Sequence, residues 1–142
     1  REIQQLLEKF CDIGELFDGY RLFLQRIQSE EREQNYSSRV VKVIRFIRKN
    51  YEKDISVGDA AQILGLNGEY LNKIFKKETG ENFSRYLTQV RMEKAKELLE
   101  SGQFNVNEVS ARTGYKSSQY FSITFRRYMG YSPSEAEAHK GE

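Results

Sequence analysis

Two stretches of this chain set hydrogen-bonding side chains at helical spacing. Glu69, Asn72, Lys73 and Lys76 share one helix face behind Gly68, and Ser118, Gln119, Ser122 and Arg126 share another, with Ile123 among them. Amide, ammonium and hydroxyl groups so arranged can exchange hydrogen bonds with base edges in a major groove, and a branched aliphatic such as Ile123 can meet a thymine methyl. The basic pairs Lys76-Lys77 and Arg126-Arg127, together with Ser117, are candidates for contact with phosphate. Taken singly, either face also reads as ordinary solvated helix surface. The second copy is what shifts the reading.

Other chemistry finds little support. His139 is the sole histidine and lies in a charged tail; Cys11 is the sole cysteine and has no base near it in sequence. One thiol forms no intrachain disulfide and no Cys-pair metal site, and it fits a reducing cytoplasm. No Gly-rich phosphate loop precedes a helix. The carboxylates at Glu97 and Glu100, or at Glu30, Glu31 and Glu33, read as solvated helix faces. The expectation is a protein that is not an enzyme and carries no cofactor or metal.

The elements that must position the two faces form an internal repeat. Residues 55–80, ISVGDAAQILGLNGEYLNKIFKKETG, align with residues 104–130, FNVNEVSARTGYKSSQYFSITFRRYMG, with one residue added after the central turn. Ser56 and Asn105 are N-cap residues, and Asp59 and Glu108 three positions later can close a reciprocal capping box. The small residues Ala60 and Ala61, and Ser110 and Ala111, suit a close, steep helix crossing. Gly65 and Gly114 end the first helix of each unit in a left-handed conformation. Asn67 then caps the second helix of the first unit, which turns Leu71, Ile74 and Phe75 inward; Phe121, Phe125 and Tyr120 are expected to do the same in the second. This is the pattern of two helix-turn-helix units. An αα-hairpin array for protein binding is the bland alternative, but such arrays need about three repeats to bury their faces.

Between the units, residues 82–101 read as a long helix with Phe83, Tyr86, Leu87, Val90, Ala95, Leu98 and Leu99 apolar. At ~1.5 Å per residue it approaches ~30 Å, close to the ~34 Å between successive major grooves on one side of B-DNA. A helix over about residues 39–51 precedes the repeat, with Val40, Val43, Ile44 and Ile47 inward and Arg45, Arg48 and Lys49 outward. Seven helices are expected from residue 38 onward.

Upstream, Ile3, Leu6, Phe10, Ile13, Phe17, Tyr20, Leu24 and Ile27 alternate steps of three and four, a heptad-like apolar seam. Two readings stand: a coiled coil joining two copies into a homodimer through residues 3–27, or an amphipathic helix lying on its own domain. Gly14 and Gly19, and the wider stripe made by Leu7, Leu16 and Phe23, keep the second open. The polar run from residue 28 to 38 ends the seam and sets a domain boundary near 36. Residues 1–36 form a connector, and residues 37–142 hold both helix-turn-helix units, at 55–80 and 104–130.

Composition agrees with a water-soluble chain. Of 142 residues, 38% are hydrophobic and 31% charged, and no apolar run is long enough to span a membrane. Charge is unevenly spread: residues 1–36 hold five basic and eight acidic side chains, a net −3, against a net +5 for the remainder. A basic part behind an acidic stalk points to a polyanionic partner. The chain opens on Arg1 without a signal-peptide pattern and reads as a piece of something longer.

These residues resemble the DNA-binding domain of the AraC/XylS family of transcription regulators. The likeness covers about residues 40–135 and is most specific in FKKETGENFSRYLTQVRMEKAKELL (75–99) and VSARTGYKSSQYFSITFRRYMGYSPSE (109–135). It implies an all-α fold with two helix-turn-helix subdomains joined by the long linker helix, and recognition helices at about 68–77 and 118–128. It implies a sequence-specific regulator of double-stranded DNA, an activator working with RNA polymerase. Base contacts carried over fall on Glu69, Asn72 and Lys73, and on Ser118, Gln119, Ser122 and Ile123. The sequence departs from the family at Ile123, where a polar reader is common, and from Ala136 onward, where an aromatic and an arginine usually follow. The family places a sensing part ahead of this domain, and the seam resembles the connector of members driven by a receiver domain or a membrane-anchored sensor. The competing function is a helical module that binds an acidic protein.

Overall fold

The computed structural model describes residues 35–138. The apolar seam, Cys11 and the His139 tail lie outside these residues. Among the described residues there are seven α-helices and no strand: α1 (Ser38–Asn50), α2 (Val57–Leu64), α3 (Gly68–Thr79), α4 (Phe83–Ser101), α5 (Val106–Arg112), α6 (Ser118–Met129) and α7 (Pro133–Ala138). The fold is all-α, with two helix-turn-helix subdomains, α2–α3 and α5–α6, joined by the long α4.

Local chemistry sets the helix starts. Both expected capping boxes form: Ser56 accepts from Asp59 N while Asp59 accepts from Ser56 N, and Asn105 and Glu108 do likewise. The Asn67 side chain accepts from Glu69 N and Tyr70 N at the head of α3, and Asn82 accepts from Arg85 N at the head of α4. Each bond satisfies one of the amides a helix N-terminus leaves without a partner. A long-range clamp holds α1, whose cap residue Ser37 donates through N and Oγ to the Glu78 carboxylate of α3 at 2.6 and 2.8 Å.

The helices enclose two cores, and α4 belongs to both. In the first, Val40, Val43, Ile44 and Ile47 of α1 meet Ala60, Ala61, Leu71, Phe75 and the leading part of α4, from Phe83 to Val90. Phase along α4 then shifts, and Met92, Ala95 and Leu99 are buried, with Val109, Phe121, Phe125, Met129 and Ala136 buried on later helices that contact α4. Met92, which has no exposure at all, stands outside the expected apolar set. Burial of side chains of this size is worth about 1.5–3 kcal/mol each, so the 19 residues of α4 are gripped from two sides.

The tight crossing inside the second unit falls one residue earlier than the sequence suggests. Val109 and Ser110 are buried and Ala111 is exposed, so Val109-Ser110 is the counterpart of Ala60-Ala61. The turn follows the same logic in both units: Leu66 N donates to Ala61 O at 2.9 Å and Tyr115 N to Ser110 O at 3.0 Å. In the second unit Thr113 rather than Gly114 is the capping residue, its hydroxyl donating to Val109 O. Gly114 follows at φ +91°.

Candidate nucleic-acid interface

The repeat is reproduced in three dimensions position by position. Residues 71–80 and 121–130 show the same succession of buried, half-buried and exposed side chains. Leu71, Phe75 and Thr79 anchor α3, and Phe121, Phe125 and Met129 anchor α6. Their opposite faces look away from the cores. Glu69, Lys73, Lys76 and Lys77 are exposed on α3; Gln119, Ile123, Arg126 and Arg127 are exposed on α6; and Ser118 and Ser122 are half-buried. Lys76-Lys77 and Arg126-Arg127 occupy the last turns of their helices, where the helix dipole favours cations. Among the described residues none of these four, nor Lys73, is engaged in an ion pair. Their charge is therefore available to a polyanion.

Two side chains stand differently from their sequence expectation. Tyr120 was expected to face inward but is 62% exposed, its ring leaning on Tyr115 at 6.0 Å between centroids. The reason is helical phase, since a residue directly before the anchoring Phe121 points about 100° away from it. Tyr70 holds the equivalent place on α3 and is also exposed. The pair adds a phenol to each outward face, and the repeat itself, which aligns Tyr70 with Tyr120, carried the signal.

Asn72 is only half exposed, and its Oδ1 accepts from Phe83 N at 3.1 Å. The side chain closes the first turn of α4 and ties α3 to it, so a purely outward role for Asn72 is corrected: it also supports the fold. The second unit needs no such tie. Pro133 stands at the first position of α7, where Phe83 stands in α4, and proline brings no N–H to satisfy. Ser122, in the place of Asn72, is released from that duty. Ser117 is the N-cap of α6, its Oγ accepting from Tyr120 N at 3.2 Å; the hydroxyl proton remains free to donate.

Beneath the outward faces lie two phenols at the seam between the units. Burial pushes the Tyr115 hydroxyl above its ordinary pKa, an effect Arg91 opposes. Burial raises Tyr128 as well, further helped by Glu93 and then Glu81. Both side chains are half-buried. Ile123, 58% exposed, is the large apolar side chain on the outward face of α6, where nothing in the fold requires it.

A family model described as a helix-turn-helix domain matches residues 60–139, more than half of the chain. The chain belongs to the AraC/XylS family of helix-turn-helix regulators. This AraC-type domain is 33% identical over 126 residues to the Msm operon regulatory protein of Streptococcus mutans, an alignment covering 87% of the chain and 45% of that relative. Among solved structures it is similar to the C-terminal domain of AraT, a response regulator from Geobacillus stearothermophilus, with 34% identity, a TM-score of 0.70 and coverage of 73% and 87% of the two chains. It is similar also to the DNA-binding domain of AdpA, a global transcriptional factor captured in complex with a target DNA, with 25% identity, a TM-score of 0.67 and coverage of 72% and 92%. The chain thus spans less than half the length of the curated relative and nearly all of the isolated domains.

Proposed function

We propose that this AraC-type domain binds double-stranded DNA sequence-specifically, α3 and α6 each entering a major groove and α4 spacing them along one side of the duplex. The observation that carries the reading is the duplicated outward face. Two helices with the same buried anchors present polar side chains at their centres and unpaired basic pairs at their ends, and the similar AdpA domain has been captured on DNA. Glu69, Lys73, Ser118, Gln119, Ser122 and Ile123 are assigned to base edges, with Asn72 sharing that work through its amide. Lys76, Lys77, Ser117, Arg126 and Arg127 are assigned to phosphates.

We propose further that the domain works without chemistry of its own, in the cytoplasm, as the output of an activator that engages RNA polymerase; its likeness to the family supports this reading. Among the described residues no helix is long and apolar enough to cross a membrane. Selection from random duplexes tests the reading. Recovery of a two-part sequence bound with a salt-dependent preference over random DNA is the expected result; salt-dependent binding with no sequence preference, or preferential capture of acidic protein, overturns it.

We further propose, from the sequence seam, that residues 3–27 join two copies of the chain. Charged replacements at Phe10 and Phe17 are then expected to convert a dimer to a monomer in sedimentation and to weaken binding to paired operators far more than to one. A parent chain that sediments as a monomer at high concentration overturns this.

A further inference from the structure

A long helix shared by two cores does not by itself fix how the two units face each other, because each can rock about it. The structure contains a second connection, centred on Arg91 of α4. Its Nε donates to Tyr51 O at 2.7 Å and its Nη2 donates to Lys53 O at 2.8 Å. Tyr51 is the C-cap of α1 and packs against the first core. Helix C-termini leave carbonyls without partners and carry partial negative charge, so a guanidinium there is held by geometry and field together.

The same guanidinium also reaches the second unit. Its Cζ lies 5.3 Å from the centre of the Tyr115 ring, and Tyr115 leans on Phe121, the anchor of α6, at 5.4 Å. Gly114 comes so close that an added Cβ would stand 2.9 Å from Tyr51 O and 3.0 Å from the Arg91 guanidinium. Three pieces of chain distant in sequence therefore meet at one side chain: the end of α1, the middle of α4 and the turn of the second helix-turn-helix.

We infer that Arg91 is a positioning residue that locks the angle between the two recognition helices, so that the domain accepts only one spacing of its two half-sites. The guanidinium matters to this role: its carbon lies over the Tyr115 ring while Nε and Nη2 serve two separate carbonyls, which a single-nitrogen ammonium cannot reproduce. The inference assigns Arg91 no contact with DNA. The inference rests on the proposed DNA-binding function for its consequence, but the lock can be tested without DNA.

The test uses the full 142-residue chain with Cys11→Ser and spin labels on cysteines at the exposed positions Gln62 and Asn107. Arg91→Met is expected to broaden the label-to-label distance distribution while both units remain helical, and Arg91→Lys to give an intermediate width. On selected duplexes, Arg91→Met is expected to bind each isolated half-site within about twofold of the parent, to lose about tenfold or more on the two-part site, and to tolerate one added or removed base pair between the halves. Should Arg91→Met fail to fold, Arg91→Lys and Tyr115→Leu carry the same measurements, Tyr115→Leu leaving the carbonyl bonds in place. An unchanged distance distribution in the folded variants overturns the inference, as does an equal loss on half-sites and on the two-part site. A parent that binds no DNA but whose distances broaden in the variants would count against the DNA-binding reading and leave the lock standing.

Discussion

Asn72 and Lys73 are neighbours on α3 that separate two kinds of contribution. Lys73 is exposed and free of ion pairs, so Lys73→Ala is expected to cost about 1–3 kcal/mol on the selected site and nothing in melting temperature. Asn72→Ala removes the acceptor for Phe83 N and should also lower stability by about 1 kcal/mol, the usual cost of a lost helix cap. Asn72→Asp keeps an acceptor and loses the amide donors, so it should melt near the parent yet bind with altered preference. Thermal unfolding beside fluorescence anisotropy checks all three; an Asn72→Asp chain with parental binding would remove Asn72 from the reading face. The exposed residues were legible because the repeat showed which positions recur. The double duty of Asn72 was not, since its partner lies eleven residues away and no local pattern announces a bond across a turn. The aromatic character of Tyr120 suggests burial, but its phase relative to Phe121 turns it outward.

Helix ends follow local rules, which is why the caps at Ser56, Asn67 and Asn105 were legible residue by residue. Turns add constraints from further away. Gly65 and Gly114 both have positive φ, at +67° and +91°, but the space beside Gly65 is open, whereas a side chain at Gly114 would strike the Tyr51 carbonyl. Gly65→Ala should therefore cost only the backbone term, about 1–2 kcal/mol, and Gly114→Val should cost clearly more. Denaturant midpoints measure both, and equal losses would mean that the close approach to α1 is easily relieved. The course of α4 was only half legible. Its apolar residues read as one set along the sequence, yet the helix changes partners between Val90 and Met92. A single-sequence pattern registers which residues are apolar but not that two cores draw on different sides of one helix.

For the molecule as a whole, the proposed DNA binding would draw its strength from charge and its geometry from the repeat. Lys76, Lys77, Arg126 and Arg127 are expected to displace counterions from phosphates, so replacing each by Gln should flatten the plot of log affinity against log salt by about 0.9. A full set of four that leaves the slope unchanged would place the phosphate contacts elsewhere. The repeat also runs further than the two helix-turn-helix units. The heads of α4 and α7 match in cap, in burial and in their place after a Gly-terminated helix: Asn82 caps one, and Ser132, bonded reciprocally with Glu135, caps the other. The α7 helix touches α4, α5 and α6 and follows the second unit as α4 follows the first. The described helices thus form two turns of one pattern, α2–α3–α4 and α5–α6–α7. The two turns need not stand or fall together: a chain stopped before Pro133 would lose the contacts that α7 makes with α4, α5 and α6, while the core from Val40 to Val90 would keep every helix that encloses it.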